Sequence, residues 1–205
     1  MRFFNKNELL AVGVVLIGVF VFMISNLSIA ERKARDAQRR ADLGAIADAL
    51  EKFKEEFGYF PPSMDGAIGA CKSESFDEKI DEILSKEPFS QSDYIALLGP
   101  CSWGVDGLRD LVDASHKPYL TTIPKDPKTD EGAKYLYLSN LKRYQLYAYL
   151  EGGESEIGYD AKIVARDLKC GQHVCSFGKS FSETPLDRSI EDYEAELAEK
   201  LKNSN

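Results

Sequence analysis

The chain has 205 residues, with 26 Lys and Arg against 34 Asp and Glu, and therefore a formal net charge of −8 at pH 7. The excess acid lies in 77–87 and 151–199, and basic residues cluster only in 32–40. A basic stripe of the kind that binds nucleic acid is therefore missing, so nucleic acid is not a favoured partner. The length suits one domain with a core of its own.

The first feature along the chain is an uncharged run, residues 9–30, which follows the lone acid Glu8. As a helix rising about 1.5 Å per residue, these 22 residues measure roughly 33 Å. The hydrocarbon core of a bilayer is about 30 Å thick. The run therefore predicts a membrane-spanning helix at 9–30, preceded by a short leader-like N-terminus at 1–8.

The helix is expected to continue through an amphipathic half at 31–58, because neither a proline nor a glycine pair interrupts it. Five apolar residues recur there at three- and four-residue steps and share one helical stripe, which needs a partner surface. They are Leu43, Ile46, Leu50, Phe53 and Phe57. Gly58 suits a left-handed helix end, and Pro61 disfavours helical geometry at Phe60, so the helix is predicted to stop there.

Charged residues surround this stripe and form pairs four residues apart, each worth about 0.2–0.5 kcal/mol on a helix. The pairs are Glu31 with Arg35, Arg32 with Asp36, Asp36 with Arg40, and Asp48 with Lys52. They predict a solvated face. The basic cluster at 32–40 lies just past the span, where each Lys or Arg gains about 1 kcal/mol near anionic lipid, and is expected to contact headgroups.

Two motifs carry a resemblance to a known family. They are RKARDAQRRADL at 32–43 and FGYFP at 57–61. Together they resemble the N-terminal helix of type IV pilins and of the major pseudopilins of type II secretion systems. The segment YLTTIPKDP at 119–127 looks like the lead into that family's β-sheet. The resemblance covers roughly 4–60 and 118–150. It implies an α+β pilin fold, with a long N-terminal membrane-spanning helix that continues into a globular domain and carries a small antiparallel sheet.

The resemblance also implies residues for assembly. Family members are cut after a glycine and just before a phenylalanine, and they carry a glutamate at the fifth position from that cut. Phe4 and Glu8 match these two positions, but Phe3 stands in place of the glycine. This departure from the family's pattern argues against processing and predicts a chain that keeps its leader. Ser25 occupies the place of a helix-kinking proline in many relatives, so a straighter helix is expected.

Four cysteines follow the span, an even number that suits two disulfides in an oxidising compartment. They are Cys71, Cys101, Cys170 and Cys175. Of three possible pairings, Cys71 with Cys101 and Cys170 with Cys175 is favoured because each bond closes a locally bounded loop. The alternative is a metal site that includes His173, although a second clear pair of ligands is missing.

The cysteines and the resemblance predict a single-pass protein of the cytoplasmic membrane with an extracytoplasmic domain. The positive-inside rule gives the opposite orientation, because Arg2 and Lys6 precede the span and five basic residues of 32–40 follow it. We give the first two signals more weight. A cleaved secretory signal is a further alternative, since Ser28 and Ala30 occupy the two positions that a signal peptidase reads.

Residues 59–118 form an excursion between the helix and the sheet that is too long for bare loop. A short helix is predicted around 76–84. A second is predicted at 105–114, with Leu108, Leu111 and Val112 facing inward. The excursion also contains the larger disulfide loop.

Alternating residues from Tyr135 to Leu150 predict a β-hairpin within a sheet region at 119–150. Alternate residues of a strand share one face. The face expected against the helix consists of Leu136, Leu138, Leu146, Ala148 and Leu150. The opposite face is expected to be a tyrosine-rich surface of Tyr135, Tyr137, Tyr147 and Tyr149.

The C-terminal region, 151–205, is predicted to hold the smaller disulfide loop and a terminal helix. Thr184 supplies a capping hydroxyl and Pro185 suits the first turn, so the helix is expected to start there. Its apolar stripe is expected to pack on its own domain. The stripe consists of Leu186, Ile190, Tyr193, Leu197 and Leu201.

The sequence contains no motif that activates a nucleophile, cradles a phosphate or ligates a metal on a helix, so we expect neither enzymatic activity nor a cofactor. Some major pseudopilins hold calcium in a loop of the sheet region, and Asp126, Asp130 and Glu131 offer the oxygen ligands that this ion prefers. Lys125 and Lys128 would oppose a cation, which favours an ordinary charged turn.

The function predicted from these features is that of a structural pilin-like subunit. It is anchored in the membrane and then packed through its N-terminal helix into a type IV pilus or a type II secretion pseudopilus. The expected partners are the membrane, further copies of the chain and the assembly machinery. The alternative is an extracytoplasmic binding domain that is secreted or permanently anchored, which Phe3 favours.

Overall fold

The computed structural model describes residues 5–85, 91–113 and 115–203. A 52-residue helix, α1 (Lys6–Phe57), leads into an α+β domain with small antiparallel sheets, as the sequence predicts. The other elements, in chain order, are β1 (Ser63–Met64), β2 (Ala67–Lys72), α2 (Phe76–Leu84), α3 (Gln91–Ile95), β3 (Leu98–Pro100), β4 (Leu136–Ser139), β5 (Tyr144–Ala148), α4 (Ala161–Ala165), β6 (Lys169–Cys170), β7 (His173–Val174), β8 (Phe177–Ser180) and α5 (Ile190–Asn203).

Helix α1 runs without interruption from its apolar half into the core of the domain. The predicted stripe is confirmed, because Leu43, Ile46 and Leu50 have no exposed surface and Phe53 is 2% exposed. These residues pack with side chains of the sheet β4-β5-β8. The helix stops where predicted, and Gly58 takes the left-handed conformation with φ of 79°.

The predicted hairpin is confirmed as β4 and β5, but the expected division of its faces is wrong. Tyr137 lies opposite Leu146, and Leu136 lies opposite Tyr147. Directly opposed residues share a face, so the leucines of the two strands lie on different faces. Tyr137 is buried on the helix side, where its hydroxyl donates a hydrogen bond to the Pro61 carbonyl at 2.8 Å. The hydroxyl can therefore be buried without losing its hydrogen bond.

The face turned away from α1 is not the exposed tyrosine-rich surface that the sequence suggested. Tyr147 has no exposed surface, and its hydroxyl donates to the Leu186 carbonyl at 3.1 Å. The C-terminal region covers this face with Ile163, Cys170 and Cys175, and Leu136 and Leu138 pack against the same cluster. Strand β5 is therefore buried on both faces, and it is also the central strand of its sheet because it pairs with β4 on one side and β8 on the other.

The excursion between the helix and the hairpin folds around the sheet β1-β2-β3. Helix α2 confirms the prediction at 76–84. The helix predicted at 105–114 is wrong over its described part, 105–113. Leu108 instead forms an antiparallel bridge with Leu120, and the Asp110 carboxylate accepts hydrogen bonds from the backbone N–H groups of Val112 and Asp113 at 2.7 and 3.1 Å. Such a local side-chain acceptor competes with helix formation.

Helix α5 begins at Ile190, later than the predicted start at Pro185. The Ser189 hydroxyl, not Thr184, caps it by accepting a hydrogen bond from the Asp192 N–H at 3.0 Å. The segment before the helix is bound to the domain through its backbone. The carbonyl of Arg188 accepts a hydrogen bond from the side-chain amide of Gln145 at 2.8 Å. These contacts hold the segment out of the helix.

Candidate membrane and assembly interface

The first half of α1 presents its apolar side chains to the exterior. One helix among the described residues is long and apolar enough to cross a membrane, and none of its apolar window is buried against the domain. The large apolar side chains of this half that the structure describes as at least 45% exposed are Leu10, Val12, Val14, Val15, Leu16, Ile17, Val19, Phe20, Val21, Phe22, Met23, Ile24, Leu27 and Ile29. We call this segment the apolar arm. Contiguous apolar surface of this extent marks a membrane or a protein partner.

Glu8 lies in the first turn of α1, at the start of the apolar arm. One of its carboxylate oxygens accepts a hydrogen bond from the backbone N–H of Asn5 at 2.9 Å. This is half of a capping box, in which an acid in the first turn satisfies the N–H group of the residue before the helix. The negative charge also lies at the positive end of the helix dipole. Phe4, the other predicted assembly residue, lies outside the described residues.

A buried charged cluster fixes α1 to the domain, beginning about two turns beyond the apolar arm. It consists of Asp36 and Arg39 on the helix, Asp126 before the sheet, and Glu151 after β5. The side chains of Asp36 and Arg39 have no exposed surface, and Asp126 is 1% exposed. Arg39 donates to both oxygens of Asp126, at 2.8 and 2.9 Å. It also donates to Asp36 at 2.7 Å and to Glu151 at 2.8 Å. We call these four residues the Arg39 cluster.

The carboxylate of Asp36 joins the helix to the loop that follows β5. Its two oxygens accept hydrogen bonds from the backbone N–H groups of Glu151 and Gly152, at 3.0 and 2.9 Å. Asp36 therefore contacts both a guanidinium and two amides, which satisfies a buried carboxylate. The contacts connect residues more than 110 positions apart in the sequence, so they form only when the domain has folded.

The opposite charges of the cluster stabilise each other's ionised forms. Burial by itself would lower the pKa of Arg39, but the hydrogen bonds to Asp126 and Glu151 outweigh it and hold the pKa above its ordinary value. The hydrogen bond from Arg35, assisted by Arg39 and opposed by burial, lowers the pKa of Glu151 to about 2. Both ions are therefore charged at neutral pH.

Two further arginines of the basic segment bind acids of the domain. Arg35 forms a bidentate pair with Glu151 at 2.6 and 2.8 Å, and Arg40 contacts Glu156 at 3.1 Å. The predicted solvated face is therefore wrong at Asp36, which is buried, and at Arg35 and Arg40, which bind Glu151 and Glu156 of the domain. The expectation that 32–40 serves lipid headgroups is wrong for its paired arginines, because their charges are engaged within the domain.

The cysteines form the pairs that the sequence favours. Cys71 is bonded to Cys101 and Cys170 to Cys175, with Cα atoms 5.1 Å apart in each pair. The first bond joins β2 to the end of β3, and the second closes the β6-β7 turn. Because Cys170 and Cys175 are oxidised, they cannot act as thiolate ligands in the alternative metal site. His173 instead stacks on Tyr149, with ring centroids 4.3 Å apart.

The three acids considered for calcium are not brought together as a site. Asp126 belongs to the Arg39 cluster, and Glu131 pairs with Lys128 on the surface. Within the described parts of the chain, no group of three His, Cys, Asp or Glu residues is arranged to hold a metal ion.

Sequence reasoning missed the Arg39 cluster. Arg39 was assigned to a surface patch and Asp126 to a charged turn, because each has like or opposite charges close by in the sequence. The partners that decide their roles are 87 and 112 residues from Arg39. The one local signal is that Asp36 and Arg39 lie three apart, on the same side of the helix as Leu43 and Ile46.

Comparison of the chain with protein-family models, with curated proteins and with solved structures finds no match.

Proposed function

We propose that this chain is a pilin-like structural subunit. The apolar arm anchors it in the cytoplasmic membrane with its domain on the extracytoplasmic side, and then packs against the arms of other copies in a filament. The filament is a type IV pilus or a type II secretion pseudopilus. The observation that carries the proposal is that one continuous helix has an apolar half outside the domain and an amphipathic half within its core.

The arm requires an apolar environment. Each exposed Val, Leu, Ile or Phe side chain gains about 1.5–3 kcal/mol when it is fully buried, and the arm exposes fourteen such large apolar side chains, one of them Met23. A bilayer can supply this burial to a single copy, and neighbouring arms can supply it in an assembled filament. One helix can therefore serve both states without refolding.

The junction between arm and domain suits a structural subunit. The Arg39 cluster and the pairs of Arg35 and Arg40 hold α1 to two segments of the domain, one at Asp126 and one at 151–156. Arg35, Arg39 and Arg40 lie in the motif at 32–43 that resembles pilins. A domain fixed in this way keeps one orientation relative to its arm, and a regular filament needs that property.

The test is the isolation of surface or secretion-system filaments and the identification of their subunit. A photo-crosslinking residue at Phe20, 64% exposed in the arm, should join copies into a ladder of oligomers in filament-producing cells. The same crosslinker at Lys162, on the exposed side of α4, serves as the control and should give less of this ladder. If filaments lack this chain and Phe20 crosslinks to no second copy, the proposal is wrong.

The alternative function is a secreted or permanently anchored extracytoplasmic binding domain, and Phe3 at the place of the family's glycine favours it. The N-terminus of the mature chain distinguishes the cases. A chain that begins at Phe4 has been processed like a pilin, and one that begins at Met1 has kept its leader. A chain that begins at Glu31 has lost the arm to a signal peptidase, which would support the secreted domain.

A further inference from the structure

A second site lies at the opposite end of the domain from the apolar arm. An open cavity of about 470 Å³ is formed by the last turn of α1, helices α2 and α3, and the loop at 110–112. Phe57 lies 27 residues beyond Ala30, which is roughly 40 Å along the helix axis. The cavity is therefore remote from the proposed membrane span and from the Arg39 cluster.

Aromatic rings form the walls of this cavity. The rings of Phe57 and Tyr94 are nearly parallel, with an interplanar angle of 11° and centroids 6.3 Å apart. Tyr59 meets Phe57 edge-on at 6.3 Å. Leu84 and Val112, which are 43% and 46% exposed, extend the apolar rim. A group with flat apolar faces would fit between these rings and the rim.

The charges on the lining are negative. Glu56 and Asp110 line the cavity, and none of the described lining residues is Lys, Arg or His. The negative charges of these acids also raise the pKa of two neighbouring tyrosines. Burial is the main cause that raises the pKa of Tyr94, and the charge of Asp110 raises it further. At Tyr119 burial is again the first cause, and Glu56 and Asp110 act in the same direction.

One polar atom at this site has no partner. Tyr59 is 6% exposed, and its hydroxyl makes no hydrogen bond in the part of the chain that the structure describes. Burial raises the pKa of Tyr59 to about 12, so the hydroxyl is neutral. A buried polar group without a partner is destabilising, because it has lost its hydrogen bonds to water and gained none in return. A ligand that brings an N–H group to this hydroxyl would recover part of that free energy.

We propose that this cavity binds the side chain of an arginine from a partner polypeptide. A guanidinium is planar and weakly hydrated, stacks on aromatic faces, and carries five N–H donors. Those donors can bind the Asp110 carboxylate and the oxygen of the Tyr59 hydroxyl. They can also bind Glu56, which already accepts a hydrogen bond from the Tyr119 hydroxyl and lies 3.4 Å from His116 Nε2. The aliphatic part of an arginine would contact Leu84 and Val112. This site does not depend on the proposed filament function, since its residues lie in the folded domain.

The test uses the full-length chain in detergent micelles and follows its tyrosine ring resonances by NMR. The probe is N-acetyl-arginine N-methylamide, and the matched neutral probe is the corresponding citrulline compound. The arginine probe should shift the resonances of Tyr59 and Tyr94 and bind about tenfold more tightly than the citrulline probe, as expected for a partly desolvated cation. Because the measurement is made on single copies, failure of filament assembly does not affect it.

Two variants separate the contributions. Asp110→Asn keeps the oxygen that accepts from Val112 and Asp113 but removes the charge, and it should weaken arginine binding about fivefold to tenfold. Asp113→Asn, in the same loop but outside the lining, should leave binding unchanged. Tyr59→Phe should weaken binding about threefold. The proposal is overturned if the citrulline probe binds as tightly, if Asp110→Asn binds arginine normally, or if the arginine probe shifts neither tyrosine.

Discussion

Arg39 and Asp126 form a bidentate ion pair inside the domain, with both N···O distances below 3 Å and a sequence separation of 87. A fork of this kind fixes orientation as well as distance. The pair joins the helix to the segment that leads into the sheet, and the carboxylates of Asp36 and Glu151 bind the same guanidinium. The end of the domain nearest the apolar arm is therefore held by charge, and the far end by apolar packing.

Replacement of Arg39 by methionine should destabilise the domain by about 3–5 kcal/mol, because the carboxylates of Asp36 and Asp126 would stay buried without their cation. Lys33→Met is the matched control, since Lys33 is exposed on the same segment of α1, and it should change the free energy of unfolding by less than about 0.5 kcal/mol. Urea unfolding of the full chain in detergent, followed by near-UV circular dichroism, measures both. Equal midpoints for the two variants would contradict the role given to Arg39.

Stability should fall in acid because of Glu151. Its pKa is about 2 in the folded chain, against an ordinary value of 4.5, so the folded state favours the charged form. The stabilisation is complete above about pH 4.5 and is lost as the pH falls towards 2. At about 1.4 kcal/mol per pKa unit, the contribution is up to about 3 kcal/mol.

Glu151→Gln provides the control for this pH dependence. The variant should be less stable than the parent chain at pH 7 and should lose less stability between pH 5 and pH 2.5. Thermal unfolding at a series of pH values measures the difference. If parent and variant lose the same stability over that range, the acid sensitivity arises from other carboxylates.

Phe53 should be among the most sensitive positions of the apolar core. It is 2% exposed and contacts Phe57, Tyr59 and Tyr119 through its ring. Phe53→Ala should therefore cost about 3–5 kcal/mol, and Leu50→Ala should cost less because it removes a smaller side chain. Lys52→Ala, exposed on the same turn, is the control. An unchanged unfolding midpoint in Phe53→Ala would mean that α1 does not support the sheet.

The two disulfides should differ in their contribution to stability. Cys71 and Cys101 are 30 residues apart, and Cys170 and Cys175 are five apart. Loop-closure entropy then gives roughly 3.5 kcal/mol for the first bond and roughly 2 kcal/mol for the second. Paired Cys→Ser variants of each bond, unfolded without reductant, measure the difference. Peptide mapping should find both bonds in the parent chain, and four free thiols there would contradict the pairing.

The sequence predicted the elements that depend on local patterns. The uncharged run at 9–30, the stripe from Leu43 to Phe57 and the helix end at Gly58 all follow from neighbouring residues, and the structure has them. The hairpin was also found. Its faces were not, because the alternating leucines of 136–138 and 146–150 suggest one apolar face, while the pairing of Tyr137 with Leu146 places them on two.

The candidate interface was also predicted only in part, because some of its contacts join residues that are far apart in the sequence. The apolar arm is a local property of composition. The role of the basic segment is not, because Arg35, Arg39 and Arg40 have their acidic partners at Glu151, Asp126 and Glu156, which no periodicity in 31–58 can indicate. Whether a charge is buried depends on which distant segments fold together. Composition alone cannot show this, and it placed these arginines on the surface.

Glu8 caps the helix in the single chain, and the proposed filament gives it a second, separable role in assembly. In the single chain its carboxylate accepts the Asn5 N–H, and a glutamine at this position of a capping box can do the same. In a filament, the charge would lie among apolar arms of other copies and would need a cationic partner. In the resembling family this partner is thought to be the new N-terminus. If the chain keeps its leader, Arg2 or Lys6 of a neighbour would have to serve.

Glu8→Gln and Glu8→Ala distinguish these roles when membrane insertion and filament yield are scored separately. Insertion should be normal in both variants, since an acid at the edge of the apolar run costs less than the ~2.5–3.5 kcal/mol of a charge at the bilayer centre. Both should lose filaments if the charge directs assembly. Loss in Glu8→Ala with normal filaments in Glu8→Gln would assign Glu8 to the helix cap alone. Normal filaments in both variants would remove Glu8 from assembly altogether.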